Sequence, residues 1–123
     1  MNTYFYPDGQ IPAHWDITIA MTKMDLYDKE SGKGLLGYAN VEGACAVYSF
    51  SKTTLAIGVI EDNGAYSGIQ TGAHELGHLF GATHDGEHCG MNEGFVMAPF
   101  SGSFKNSYYW SECSIRAIST FIK

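Results

Sequence analysis

One stretch of the chain, HELGHLFGATHD at positions 74–85, constrains the fold more than any other feature of the sequence. Ser67 precedes it and is a residue type that caps helix N-termini, so a helix is predicted from near Ser67 to about Phe80. Gly81 stands where a helix C-terminus favours a residue that tolerates positive φ. The chain can therefore leave the helix in a sharp turn directly after Phe80.

Three histidines in this stretch have the spacing of metal ligands. His74 and His78 are four residues apart, so both imidazoles project from one face of the helix, and the turn at Gly81 returns His84 toward them. Glu75 lies about 100° around the helix from His74, close enough to hold a metal-bound water without being a ligand. Three protein ligands with an open fourth position describe a catalytic zinc, because a structural zinc is closed by four.

The alternative interpretation is that these are unrelated histidines on an amphipathic core helix. A bare HExxH motif would leave that alternative open, but the longer pattern HExxHxxGxxHD is far more specific. We therefore expect zinc to be held by His74, His78 and His84, with Glu75 as the general base.

The remaining elements predict an α+β fold. Residues 15–22 are predicted as a strand, residues 35–50 as extended structure interrupted by glycines, and residues 54–60 as a buried strand. A last helix is predicted to start at Ser111. Its buried side is expected to carry Ile115, Ile118 and Ile122. Strands followed by a central helix, loops and a closing helix are typical of an α+β domain.

Composition excludes some classes of function. The 13 acidic residues outnumber the 7 basic ones, which argues against nucleic acid as a partner because phosphates require Lys and Arg. The longest strongly apolar run, residues 55–60, has the length of a strand, so no membrane span is expected. Three cysteines are present without a CxxC pair, and in an extracellular setting an odd count leaves one thiol in need of a partner.

The motif at positions 74–85 resembles the zinc signature of the metzincin metalloproteases. Asp85, directly after the third histidine, points to the adamalysin/reprolysin branch, which includes snake-venom metalloproteinases, ADAM proteases and arthropod salivary enzymes. FVMAP at positions 95–99 resembles the Met-turn of this family, in which Met97 would underlie the zinc-ligating imidazoles. WSECS at positions 110–114 resembles the cysteine-bearing motif that opens the family's C-terminal helix.

The resemblance implies a mostly parallel sheet with residues 35–50 at its edge, above the active-site cleft. An extended peptide can add itself to such an edge as another strand, and the alternative is an edge blunted by glycine that binds no ligand. Substrate contacts on the edge strand are expected at Gly37, Tyr38, Ala39, Asn40 and Val41. The outer wall of the pocket beyond the scissile bond is expected to include Ala98, Pro99 and Phe100.

The activity implied by the resemblance is that of a secreted zinc endopeptidase acting on extracellular proteins or peptides. Glu75 would take a proton from the zinc-activated water and pass it to the leaving amine. Two other functions are considered: a catalytically silent binding module on the same scaffold, and a structural zinc protein. The retained base disfavours the first, and the missing fourth ligand disfavours the second.

The length of the chain departs from the family pattern. Family domains are longer, so residues 1–123 are expected to be about the C-terminal two-thirds of a larger catalytic domain. The chain is then either a fragment or an unusually minimal form.

The cysteines and a calcium position depart as well. The resemblance implies a disulfide between Cys45 and Cys113, which leaves Cys89 free, bonded to a missing segment or bonded to another chain. Asp16 matches an acidic calcium ligand of many relatives, but Arg116 stands where an asparagine is expected. We therefore expect no calcium there, with Arg116 either paired to Asp16 or directed to solvent.

Overall fold

The computed structural model of the chain describes residues 2–6, 15–30 and 32–123. Within these residues the fold is α+β, as predicted. The strands are β1 (Thr18–Thr22), β2 (Leu26–Asp28), β3 (Gly32–Leu35), β4 (Gly37–Ala39), β5 (Val47–Tyr48), β6 (Thr53–Thr54) and β7 (Ile57–Glu61). The helices are α1 (Gly68–Leu79) and α2 (Glu112–Phe121), with short 3-10 helices at Glu87–Cys89 and Met91–Glu93.

The central sheet has the strand order β1-β7-β4. Strand β7 lies in the middle, and its Ile57 and Ile60 are almost fully buried, as the apolar run there predicted. It pairs in parallel with β1 and antiparallel with β4, so the sheet is mixed, with two of its three described strands running in the same direction. The physical reason is the short β2–β3 hairpin, which leads the chain from β1 into β4 in the opposite direction.

The predicted edge segment, residues 35–50, is only partly a sheet edge. Strand β4 is at the edge of the central sheet, but it ends at Ala39. After a turn, β5 forms a separate two-stranded ladder with β6. Residues able to pair with an added strand on the central sheet are therefore limited to a shorter stretch than the sequence suggested.

Helix α1 is confirmed close to the predicted bounds. Ser67 occupies the N-cap position, although its side chain does not cap the helix and instead accepts a hydrogen bond from the Asn63 amide at 3.1 Å. The helix ends before Gly81, whose φ of +93° allows the sharp exit that was predicted. No helix in the described part of the chain is long and apolar enough to cross a membrane.

Helix α2 also begins where predicted but presents a different face to the core. Ser111 is the N-cap and accepts from the Ser114 amide at 3.1 Å. Ile118 packs with Ala117 against the buried core, whereas Ile115 and Ile122 are 52% and 63% exposed. The prediction that all three isoleucines are buried is therefore wrong. Hydrogen bonds of Ser111 and Ser114 to buried Asp85 fix the helix's rotation and turn Ser114 inward.

The disulfide joins Cys89 to Cys113, with 5.8 Å between their Cα atoms, so the predicted Cys45–Cys113 bond is wrong. Cys45 is free and exposed. Its amide donates to the Asp16 carbonyl at 2.9 Å, which holds it in a turn beside the start of β1. The 3-10 helix at Glu87–Cys89 instead carries Cys89 to the start of α2. Cys89 is thus neither free nor available for a second chain.

Asp16 and Arg116 do not pair. Both side chains are exposed, and no ion pair joins them among the described residues. Asp16 instead lies beside Cys45, with 3.6 Å between its Oδ1 atom and the thiol sulfur. Of the two alternatives, the structure thus favours an Arg116 directed to solvent, and the expected absence of calcium stays a prediction.

We expect the disulfide to contribute measurably to stability. Its cysteines are 24 residues apart, and closing a loop of that length contributes about 3 kcal/mol by restricting the unfolded chain. Replacing both Cys89 and Cys113 by alanine should therefore lower the free energy of unfolding by about that amount in urea titrations. Cys45→Ser is the matched control and should change it by less than about 0.5 kcal/mol. An equal loss in both variants would contradict the assignment.

Candidate metal centre

Two neighbouring elements bring the three predicted histidines together. His74 and His78 project from the same face of α1, one turn apart. Gly81 has a left-handed backbone conformation, and it reverses the chain so that His84 approaches from the following loop. The Nε2 atom of His84 lies 3.1 Å from that of His74 and 3.2 Å from that of His78. The three ring nitrogens therefore converge on one point.

Main-chain carbonyls orient two of these rings. The Nδ1 atom of His74 lies 2.7 Å from the Val96 carbonyl oxygen, and that of His78 lies 2.8 Å from the Ala82 carbonyl oxygen. A carbonyl oxygen only accepts, so each Nδ1 carries the hydrogen, and in the neutral imidazole Nε2 then carries a lone pair. Metal-ligating histidines show the same arrangement, in which the ring nitrogen that does not bind the metal donates to a carbonyl or carboxylate oxygen.

Burial keeps the two helix histidines neutral. It lowers the pKa of His74 to about 4 and also lowers the pKa of His78 below its ordinary value. Neutral imidazole is the form that binds a metal. Two Nε2 lone pairs then face His84 Nε2, which has at most one hydrogen to share. The three Nε2 atoms therefore have fewer hydrogens than they need to hydrogen-bond with one another, and a bound cation would accept their lone pairs.

The geometry fits a zinc ion. With zinc–nitrogen bonds of about 2.0–2.1 Å, tetrahedral coordination separates two ligand nitrogens by about 3.3 Å. The Nε2 separations of 3.1 and 3.2 Å are close to that value. Among the described His, Cys, Asp and Glu residues, His74, His78 and His84 form the group that could hold a metal ion. A set of three nitrogens leaves one tetrahedral position for another molecule.

Glu75 lies beside this cluster in a dry position. Its side chain is only 5% exposed, and burial raises the pKa of its carboxyl to about 7. Its Oε2 atom has no hydrogen-bond partner within the described residues. A carboxyl with a pKa near neutrality and a free oxygen has the properties of a general base.

A cavity of about 700 Å³ opens over the histidines and Glu75. The residues predicted to contact substrate that line it are Gly37, Tyr38, Ala39, Ala98, Pro99 and Phe100. Asn40 and Val41 lie outside it, because β4 has ended. The side-chain Nδ2 atom of Asn40 instead donates to the Leu55 carbonyl at 3.3 Å, and Val41 begins the following turn.

Met97 is fully buried directly beneath α1. A Cβ atom added at Gly77 would overlap its sulfur and would lie 2.8 Å from Cζ3 of Trp110. The Met97 carbonyl accepts from the Asp85 amide at 2.8 Å, which ties this segment to the loop that carries His84. The role of Met97 as a Met-turn beneath the imidazoles stays a prediction.

A buried polar cluster was missed by the sequence reasoning. The Asp85 carboxylate is 3% exposed, and its Oδ1 atom accepts from the hydroxyls of Ser111 at 2.5 Å and Ser114 at 3.2 Å. Asp85 follows His84 directly, so these bonds fasten the third histidine's loop to the start of α2. In the sequence analysis Asp85 served only as a family marker. Its two partners are 26 and 29 residues away, so no local pattern in the sequence could have indicated these contacts.

Comparison with known proteins supports this assembly. A family model described as metallo-peptidase family M12B, reprolysin-like, matches residues 8–85, more than half of the 123 residues. A protein of Bombyx mori, "A disintegrin and metalloproteinase with thrombospondin motifs like", is 33% identical over an aligned length of 139 residues. The alignment covers 99% of this chain and 20% of that protein.

Two further relatives are similar over nearly the whole chain. "A disintegrin and metalloproteinase with thrombospondin motifs 1" of Rattus norvegicus is 33% identical over 122 residues, covering 94% of this chain and 12% of the relative. Venom metalloproteinase 3 of Eulophus pennicornis is 29% identical over 127 residues, and the match covers 98% of this chain and 28% of the relative. The chain thus spans less than a third of the length of each of these relatives. It belongs to the reprolysin-like M12B family of metallopeptidases.

Proposed function

We propose that this chain is the zinc-binding, catalytic part of a secreted endopeptidase that hydrolyses extracellular proteins or peptides. The observation that carries the proposal is the convergence of three Nε2 atoms beside buried Glu75. The Nε2 atom of His84 lies 3.1 Å from that of His74 and 3.2 Å from that of His78, and Glu75 Oε2 has no hydrogen-bond partner in the part of the chain that the structure describes. The three ligands are His74, His78 and His84. This arrangement combines a metal site that has an open position with a base that is free to move a proton.

The chemistry that zinc supplies in such a site is Lewis-acid activation of a water molecule and of a carbonyl oxygen. Glu75 would accept the proton that water releases as it attacks the scissile carbonyl, and would then deliver it to the leaving amine. Its low exposure keeps bulk water from competing for that proton. Burial raises the pKa of this carboxyl to about 7 in the metal-free chain, and a general acid–base group is most effective when its pKa lies near the operating pH.

Strand β4 is the proposed docking edge for substrate. Among the described strands it pairs with β7 alone, so an extended peptide could add to its other side and run along the cavity. Ala98, Pro99 and Phe100 would form the wall that receives the side chain beyond the scissile bond. Met97 would support the metal-binding imidazoles from below. The zinc site, the edge strand and this wall would belong to one catalytic domain, of which residues 1–123 would be about the C-terminal two-thirds.

We infer secretion from the disulfide bond and from membership of the family. A disulfide between Cys89 and Cys113 persists in oxidising compartments, which include the extracellular space. The second candidate, a catalytically silent binding module, differs in one measurable respect: it binds peptides in the same cleft without cleaving them.

A peptide-library digest tests the proposal. The purified protein with zinc should cleave peptides within their sequence, and a chelator such as 1,10-phenanthroline should abolish cleavage because the Lewis acid is removed. Added zinc should restore it. Mass spectrometry of the products reports both the cleaved bonds and the preferred flanking residues. Binding without cleavage would favour the silent module, and cleavage that persists in chelator would overturn the zinc mechanism.

A further inference from the structure

Gly37 is a glycine for reasons of space, not of backbone conformation. It lies in β4 opposite Ile60 of β7, and its φ is outside the left-handed region that favours glycine. Glycine weakens a strand interior, because it has more conformational freedom to lose and no side chain to pack. A neighbouring group must therefore require that position 37 has no side chain.

Helix α1 leaves no room for a side chain at position 37. A Cβ atom at Gly37 would lie 2.6 Å from Glu75 Oε1, 2.9 Å from Glu75 Cγ and 2.7 Å from Thr71 Cγ2. Thr71 and Glu75 are four residues apart on α1, so both face β4 at this point. A β-branched threonine is stiff, and the Cγ atom of Glu75 moves only if its χ1 changes. The overlap cannot be relieved by shifting a flexible chain end alone.

The strand cannot retreat easily either. Gly37 and its neighbours are hydrogen-bonded to β7, and the Glu61 amide donates to the Leu36 carbonyl at 2.8 Å. Helix α1 packs on the same strand, so β7 holds β4 and α1 in fixed positions. Glu75 is therefore confined between its own helix and the bare main chain of β4.

We infer that Gly37 is a positioning residue: its missing side chain sets the position of the Glu75 carboxylate against the strand edge on which a peptide would dock. The inference rests on the proposed function for its catalytic meaning, but the contact itself belongs to the fold. An added methyl group would point at α1 and away from the open edge of β4. Its effect should fall on the chemical step more than on peptide binding.

Kinetics provide the first arm of the test. Gly37→Ala should lower kcat by about 10²-fold, the loss that a displacement of about 1 Å produces, while KM changes by less than about threefold. Gly86→Ala is the matched control, because a Cβ atom there meets nothing within 4 Å, and its kcat should equal that of the wild type. A normal kcat for Gly37→Ala, or a loss confined to KM, overturns the inference.

The second arm measures stability in urea and does not depend on activity. Thr71→Ser is kept in every protein of this arm, because it removes the Cγ2 overlap and leaves only the overlap with Glu75. In that background, adding Gly37→Ala should raise the unfolding equilibrium constant by about tenfold or more, but by less than about threefold when Glu75→Ala is also present. Equal effects with and without Glu75→Ala overturn the inference. If the Gly37→Ala/Thr71→Ser protein does not fold, adding Glu75→Ala should restore folding, and its failure to do so overturns the inference as well. A wild-type protein without zinc-dependent cleavage would defeat the proposed function, while this cycle still decides whether Gly37 makes room for Glu75.

Discussion

Replacing Glu75 by glutamine is expected to abolish peptide cleavage while leaving the metal in place. Glutamine has nearly the same shape, so the contacts with Gly37 and Thr71 are kept, but it cannot accept the proton that attacking water releases. General acid–base groups contribute about 10² to 10⁴ in rate, so kcat should fall at least 10²-fold. Because the three histidines are untouched, metal analysis should still find about one zinc per molecule.

The matched control is Glu87→Gln, which removes an exposed carboxylate from the first turn of the nearby 3-10 helix. Its turnover should be unchanged, because the buried base remains. Near-normal turnover of the Glu75→Gln variant would show that another group moves the proton. Loss of zinc from that variant would instead show that the carboxylate helps to hold the metal.

The sequence predicted the centre of the site well because its geometry is local. Helix periodicity places His74 and His78 on one face, and the φ of +93° at Gly81 is the conformation that a glycine after a helix indicates. The three histidines and the turn between them lie within 11 consecutive residues. Short-range rules of this kind were sufficient to predict that the three rings would meet.

Longer-range features were predicted less well. The pairing of cysteines depends on which turns approach each other in space, and carrying it over from a family pattern assigned Cys45 in place of Cys89. The buried face of α2 depends on hydrogen bonds to Asp85, and no periodicity of isoleucines contains that information. The need for a glycine at position 37 becomes visible only when β4 and α1 are packed on β7.

Replacing His78 by alanine is expected to remove the metal. His78 contributes one of three nitrogens, 3.2 Å from His84 Nε2, and two remaining imidazoles cannot complete a three-histidine site. A wild-type protein at a free zinc concentration of 100 Kd should gain about 2.7 kcal/mol of stability, which raises Tm by about 10 °C for a chain of this size. The His78→Ala variant should show no zinc-dependent rise in Tm and close to no bound zinc by metal analysis.

The matched control for this variant is His88→Ala, because His88 is exposed on the 3-10 helix and the described structure gives it no contact with the three rings. It should keep one zinc and the full zinc-dependent shift in Tm. His78 also donates from Nδ1 to the Ala82 carbonyl at 2.8 Å, so its removal lowers the stability of the metal-free protein too. The comparison must therefore be the difference between melts with and without zinc, in which that loss cancels. If His78→Ala binds one zinc with unchanged affinity, the three-histidine site is wrong.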